Sequence, residues 1–296
     1  MILTPQFQAG KLSKTIGIET PIFIKREDLH PYHSHKGRSI PKMIEYYSEK
    51  GKNNFVISSS GNAALAALLY INEYNRNHEN SKLNLKIFVG KKIPLHKLKH
   101  LTANLKTEFV SLEQVQNPKQ TAFKIDKEDG AKNLRQSTDL NAPLGYEELA
   151  DELLEIKDLS AVFIPTSSGT TAVGLNKAFH KKHHGVQIHI VQTHSCHPIA
   201  EEFDDGFVME SIPSLASAIV DNVALRKNEV VRAIETTGGH GWIADNQQIR
   251  EVVKLIKYTT NLEVSPNSAL SVVGLLKALE HDWKFKGPIV CLFTGE

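Results

Sequence analysis

Short apolar runs rich in β-branched residues alternate with stretches of helical periodicity, and this alternation limits the fold more than any other feature. Strands are predicted over residues 22–25, 54–57, 85–89, 108–112, 161–164, 187–192 and 289–293. Helices are predicted over residues 39–50, 62–74, 95–105, 145–154, 174–183, 227–237, 246–259 and 268–280. The strands show little polar alternation, as expected where helices cover both faces of a sheet. The pattern therefore predicts an α/β fold with mostly parallel sheets.

Length and charge narrow the class of protein. A chain of 296 residues suits one large unit or two closely packed ones. Hydrophobic residues make up 41% and charged residues 23%, which is ordinary for a globular protein. The 35 Lys and Arg nearly balance the 33 Asp and Glu, so the charge predicts neither a nucleic-acid partner nor a membrane surface.

The two cysteines and the N-terminal residues indicate the compartment. Cys196 and Cys291 are far apart and are expected to be buried free thiols, as in a reducing environment. The first residues show no charged leader before a long apolar run, and no window reaches the roughly 18 apolar residues of a membrane span. A cytoplasmic protein is expected. The Asn-, His- and Ser-rich segment 72–81 predicts a loop.

Ligands in open parallel sheets bind at the carboxyl ends of strands, and the first predicted strand ends near an unusual lysine. The segment 21–38 runs from that strand through a charged cluster to Ser34-His35-Lys36, which opens a helix. The positive end of the helix dipole disfavours a charged amine, which suits a Schiff-base lysine, although this motif taken alone fits a solvated lysine better.

Two Ser-rich segments also follow strands. The sequence SSSGN, from Ser58, places hydroxyls and helix N–H groups where a carboxylate would fit; the alternative is an ordinary polar helix cap. The sequence PTSSGTT, from Pro165, lacks the lysine of a Walker loop and the glycine spacing of a dinucleotide site. It favours a phosphate at a helix N-terminus over a simple Ser/Thr-rich turn.

Pairs of histidines do not indicate a metal site. They occur at 33/35, 96/100, 180/183/184 and 194/197, and no flanking Cys or acidic residue completes a familiar ligand set. The run 180–184 is typical of a solvated helix end. No metal is predicted.

Taken together and in this order, the motifs resemble those of the tryptophan-synthase-β superfamily, the fold-type II pyridoxal-phosphate (PLP) enzymes. The resemblance extends from Thr4-Pro5 to Thr294-Gly295. The run KREDLHPYHSHKGR is similar to that of serine/threonine dehydratases. Residues 214–249, the SSGN loop and the Thr-Gly ending look more like those of threonine synthases.

The resemblance implies a role for each matching residue. Lys36 would carry the cofactor covalently, Asn62 would bind its 3′ oxygen, and Thr294 would meet the pyridine nitrogen. The substrate carboxylate would be held by Ser59, Ser60, Asn62 and the backbone at Ala63. The cofactor phosphate would be held by Ser167, Ser168, Gly169, Thr170 and Thr171.

The resemblance also implies two three-layer α/β/α subdomains with PLP in the cleft between them. Residues 1–37 and 142–296 would form the large cofactor-binding subdomain, and residues 38–141 a small mobile one that closes on the substrate.

Departures from the family pattern leave the substrate open. His35 replaces the usual Phe before the lysine, Ala63 stands where many members have Thr or His, and the phosphate loop has Ser and Thr where Gly is common. The sequence stops at Glu296, so no C-terminal regulatory domain is expected.

Three functions follow. The first is a threonine-synthase-like PLP lyase acting on phosphohomoserine, for which Lys25 or Arg38 could supply a second anion site. The second is a serine/threonine ammonia-lyase (dehydratase), which needs only the carboxylate site. The third is a PLP- or ligand-binding protein without turnover. The expected partner is a small amino-acid substrate. A homodimer is one possible oligomeric state.

Overall fold

The computed structural model describes residues 2–128, 130–204 and 212–296, and it divides into two compact units. Unit 1 comprises Met1–His30 and Tyr146–Glu296, and unit 2 comprises Pro31–Gly145. Each unit has its own sheet with helices on both sides, so the predicted α/β class with mostly parallel sheets is confirmed.

The strands are β1 Gln6–Gln8, β2 Ile22–Arg26, β3 Asn54–Ser58, β4 Asn84–Gly90, β5 Val110–Val115, β6 Lys132–Asn133, β7 Ala161–Pro165, β8 Gln187–Thr193, β9 His240–Ala244 and β10 Ile289–Phe293. The helices are α1 Gly10–Ile16, α2 Lys36–Glu49, α3 Asn62–Asn77, α4 Leu95–Thr102, α5 Pro118–Glu128, α6 Glu147–Leu154, α7 Thr170–Lys181, α8 Lys227–Thr237, α9 Asn246–Thr260 and α10 Pro266–Glu280. Short 3-10 turns cover Glu27–Leu29, Ala142–Tyr146 and Ala200–Phe203.

The sheet of unit 1 has the strand order β1-β2-β10-β7-β8-β9, in which only β1 is antiparallel to its neighbour. Successive residues of β7 point to opposite faces. Phe163 packs with α9 and α10 on one face, whereas Val162 and Ile164 pack with α6 and α7 on the other. Both faces are covered, which explains why the strand sequence is apolar throughout.

The sheet of unit 2 has four parallel strands in the order β5-β4-β3-β6. Val56 of β3 and Phe88 of β4 pack with Ala122 of α5 in its core. Helices α2 and α3 contact each other in this unit.

The predicted loop over residues 72–81 is wrong in its first half, because α3 continues to Asn77. Two buried asparagines explain the continuation. Asn72 donates its side-chain N–H to the carbonyl of Asn104 at 3.0 Å, and the amide of Asn75 both donates to and accepts from the backbone of Leu83 at 2.9 and 2.8 Å. Polar residues that usually break helices here have partners outside the helix.

The prediction of buried free cysteines is confirmed for Cys196 and Cys291. Burial raises the pKa of Cys196 to about 11, with a smaller contribution from the charge of Asp221, and burial also raises the pKa of Cys291. None of the helices in the described ranges is long and apolar enough to cross a membrane.

Candidate functional site

The loop after β7 leads directly into the N-terminus of α7. Ser167, Ser168 and Gly169 connect the strand to α7, and the hydroxyls of Ser168 and Thr170 lie 3.0 Å apart. Gly169 is the N-cap of this twelve-residue helix, and within the described chain the first turn contains no acidic side chain that would compete for its N–H groups. The N–H groups at the positive end of a helix favour a phosphate.

Gly169 has two reasons to be glycine. Its φ of 81° lies in the left-handed region, which a residue with a Cβ adopts only at a cost. A Cβ at this position would also stand 2.4 Å from Cγ2 of Val230 in α8. The turn therefore requires both the backbone freedom and the small size of glycine.

Ser167 has its acceptor positions filled by a distant segment. Its Oγ accepts hydrogen bonds from the backbone N–H groups of Val220 and Asp221, each at 3.2 Å. A serine hydroxyl accepts two hydrogen bonds and donates one, so the remaining capacity of this side chain is donation. A phosphate oxygen is an acceptor and would match it. Sequence reasoning missed Val220 and Asp221 because no local pattern links them to residue 167.

Thr294 lies directly after β10, and its exposed fraction is only 4%. The next residue, Gly295, has a φ of 101° and is held in place by two serines of the α10 N-terminus: it donates to Ser268 Oγ at 3.1 Å and accepts from Ser265 Oγ at 2.7 Å. Because β10 and β7 are neighbouring parallel strands, Thr294 and the Ser167 loop follow adjacent strand ends in unit 1.

Lys36 is the first residue of α2 in unit 2, and it is half-buried. The first turn is secured by the fully buried Ser34, whose Oγ accepts from the Lys36 N–H at 3.3 Å and whose carbonyl accepts from the Gly37 N–H at 2.9 Å. The predicted position of the lysine at a helix start is therefore observed, although the helix begins three residues earlier than the periodicity predicted.

The Ser-rich loop of unit 2 connects β3 to α3. Ser59 and Ser60 are half-buried, and the Gly61 N–H donates to Ser59 Oγ at 3.3 Å. Asn62 and Ala63 are the first two residues of α3 and are also half-buried. Lys36 and Asn62 thus each begin one of two helices that contact each other.

The predicted second anion site does not fit Lys25. This side chain is 1% exposed, forms an ion pair with the buried Glu152 and donates to the carbonyl of Thr4 at 2.8 Å. Its charge is compensated inside unit 1, so it is not available to an anionic ligand. Arg38, the other candidate, is 5% exposed in unit 2.

The histidines after β8 bond to backbone atoms. His197 Nδ1 lies 2.9 Å from the carbonyl of Thr193, and His194 Nε2 lies 2.9 Å from that of Ile212. Across the described part of the chain, no group of three His, Cys, Asp or Glu side chains is placed to hold a metal ion. Residues 180–184 are exposed, as the sequence predicted for a solvated helix end.

The residues present fit pyridoxal phosphate. Donor groups at the start of α7 suit its phosphate, a hydroxyl of Thr294 suits its uncharged ring nitrogen, and the amine of Lys36 can bind its aldehyde.

Comparisons with known proteins agree with this assignment. The family model described as "Pyridoxal-phosphate dependent enzyme" matches residues 2–295. A threonine synthase of Bacillus sp. (strain ULM1) is 22% identical over 304 residues, which cover 99% of this chain and 82% of that protein. Two solved structures show the same fold over 99% of this chain, each with a TM-score of 0.79. They are processed threonine deaminase isoform 2 of Solanum lycopersicum, 20% identical with 78% of that chain covered, and maize serine racemase, 16% identical with 87% covered.

The chain therefore belongs to the family of pyridoxal-phosphate dependent enzymes, and pyridoxal phosphate is its cofactor.

Proposed function

We propose that the protein is a PLP-dependent lyase that acts on a small amino acid, with a threonine-synthase-like reaction that converts phosphohomoserine to threonine. The observation that carries the proposal is the hydrogen bonding of Ser167. Both acceptor positions of its hydroxyl are filled by backbone N–H groups, so its proton is left for the phosphate of the cofactor. The similarity to a threonine synthase along 99% of the chain supports the choice of reaction.

The roles of the side chains follow from their chemistry. Bound pyridoxal phosphate withdraws electrons from the substrate α-carbon and so makes the α-proton acidic. The amine of Lys36 takes up that proton and returns it to the product. Hydroxyls of Ser59 and Ser60 and the amide of Asn62 hold the substrate carboxylate at the start of α3. A neutral hydroxyl of Thr294 beside the ring nitrogen would leave that nitrogen uncharged, which would favour loss of a substituent.

A serine/threonine ammonia-lyase is the second candidate, and the burial of Lys25 favours it. A phosphorylated substrate needs a second cationic site, and Lys25 is already paired with Glu152. An ammonia-lyase needs only the carboxylate site. The run KREDLHP, from Lys25, and the shared fold of the tomato threonine deaminase support the same candidate.

A product screen distinguishes the candidates. PLP-loaded protein is incubated separately with O-phosphohomoserine, L-threonine and L-serine, and products are identified by mass spectrometry and chiral separation. Threonine and inorganic phosphate from the first substrate are the expected result. A 2-oxo acid with ammonia from threonine or serine would establish the ammonia-lyase instead. No product, with PLP bound, would contradict both lyase assignments and identify a binding protein without turnover.

We further propose that Lys36, Asn62, residues 167–171 and Thr294 bind the cofactor. The proposal rests on the family resemblance of these four motifs. A cytoplasmic location is proposed on the basis of the two buried thiols.

A further inference from the structure

We propose that the turn Ala142–Tyr146 positions Lys36, with Gly145 and Ser39 as the positioning residues. The relevance of Lys36 rests on the proposed function. The amine sits at the end of a long flexible side chain, so its location depends on where the first turn of α2 lies.

The first turn of α2 is weakened from within. Pro41 lies inside the helix and has no N–H to donate to the carbonyl of Gly37, four residues earlier. A proline in a helix interior also pushes against that carbonyl. The backbone immediately after Lys36 therefore depends on contacts from outside the helix.

Gly145 supplies a contact of backbone against backbone. A Cβ at this position would come 2.2 Å from the carbonyl oxygen of Arg38 and 2.6 Å from Cα of Ser39. Both atoms belong to the main chain of α2, so rotation of a side chain could not relieve the clash. Only glycine allows the turn to approach α2 so closely.

Ser39 adds a directed bond at the same place. Its fully buried Oγ donates to the carbonyl of Ala142 at 2.7 Å. The contact of Gly145 and this hydrogen bond thus hold adjacent residues of α2, two and three positions after Lys36.

The segment that contains the turn is itself anchored, because Asp139 is held from three sides. Tyr47, near the end of α2, donates its hydroxyl to Asp139 Oδ2 at 2.7 Å. Lys132 of β6 lies 3.0 Å from the same oxygen, and the Asn141 N–H donates to Oδ1 at 2.9 Å. One segment therefore contacts α2 at its beginning and near its end.

The test measures the amine of Lys36 rather than turnover. Full-length wild type, Gly145→Ala and Ser39→Ala are incubated with PLP, reduced with borohydride at timed intervals and mapped by mass spectrometry. In parallel, an amine-reactive acetylating reagent is applied across a pH series without PLP, and labelling of Lys36 is divided by that of the exposed Lys42 on the same helix.

Matched controls separate positioning from general damage. Gly185→Ala adds a Cβ where nothing lies within 4 Å, and Ser48→Ala removes a hydroxyl of α2 whose buried Oγ has no hydrogen-bond partner among the described residues. Both controls should behave like wild type. Gly145→Ala should trap PLP at Lys36 about tenfold more slowly or worse, since displacements near 1 Å have large effects on reacting groups. Ser39→Ala should show a smaller loss, and the pH profile of the labelling ratio should shift in both.

Wild-type trapping and labelling in both test variants would overturn the proposal, as would an equal fall in Lys36 and Lys42 labelling. If Gly145→Ala does not fold, Ser39→Ala decides the question. If wild type forms no adduct at Lys36, the proposed function fails, while the labelling ratio still tests the positioning.

Discussion

At the scale of single residues, Ser167 shows why the hydrogen-bonding role of a hydroxyl can be predicted only in part from the sequence. The sequence predicts a Ser/Thr-rich anion loop in preference to a simple turn of the same composition. What distinguishes them is which lone pairs are occupied, and the partners of Ser167 are 53 and 54 residues away. Local patterns identify the residue types at a site, whereas long-range hydrogen bonds determine whether a hydroxyl donates or accepts.

Gly169 provides a residue-scale test of the phosphate loop. We expect Gly169→Ala to lower PLP affinity by at least about tenfold, or about 1.4 kcal/mol, because φ is positive and the new Cβ meets Val230. Affinity for pyridoxal, which lacks the phosphate, should change much less. Titrations followed by absorbance measure both, with Gly185→Ala as the control.

An equal loss of affinity for pyridoxal and PLP would indicate a general disturbance of unit 1. Unchanged PLP affinity would show that the loop does not bind the phosphate.

At the scale of elements, most strands of five or more residues were predictable and the two shortest were not. Strands β7, β8 and β10 were found because helices cover both faces and require apolar residues throughout. The three-residue β1 and the two-residue β6 are too short to show a period. Helix α5 was missed because only Ala122 is buried in it, which leaves no apolar stripe.

Strand β9 was also missed, and the aromatic cluster that holds it includes His189 of β8. The ring of His189 is fully buried and stacks on Phe163 with 4.4 Å between centroids. Its Nδ1 accepts from the indole N–H of Trp242 in β9 at 3.1 Å, and its Nε2 lies 3.3 Å from Gln187 Oε1. These partners match a neutral imidazole with the proton on Nε2.

The buried ring of His189 predicts that acid lowers the stability of the fold. Burial, with a smaller effect from the charge of His240, lowers the pKa of His189 to about 3, below its ordinary value of 6.5. Above pH 6.5 the ring is neutral whether the chain is folded or unfolded. As the pH falls from 6.5 toward 3, the unfolded chain binds a proton that the folded protein does not, so the free energy of unfolding falls by about 1.4 kcal/mol per pH unit.

Denaturant unfolding of His189→Gln at several pH values tests this contribution. The variant should be less stable at pH 7, because the stacking and the bond from Trp242 are weakened, and its stability should fall less steeply between pH 6 and 4. The exposed His183→Gln should retain the wild-type slope. An identical slope in His189→Gln would show that this ring does not govern the acid response.

At the scale of the whole molecule, the fold class and the order of the motifs were predictable, but the partners of the charged groups were not. The motifs follow strands β2, β3, β7 and β10, where parallel sheets place ligands. From the sequence, Lys25 is a candidate for a second anion site. Its actual partner, Glu152, is 127 residues away, and that distance in sequence hides the ion pair.

The most direct test of the account is the position of the covalent cofactor adduct. Wild-type protein with PLP should show an absorbance band that borohydride removes, and peptide mapping should find the reduced adduct on Lys36. Lys36→Ala should lose the adduct, while the control Lys42→Ala, at an exposed position on the same helix, should keep it. An adduct on another lysine, or a full-strength reducible band in Lys36→Ala, would contradict the assignment of Lys36.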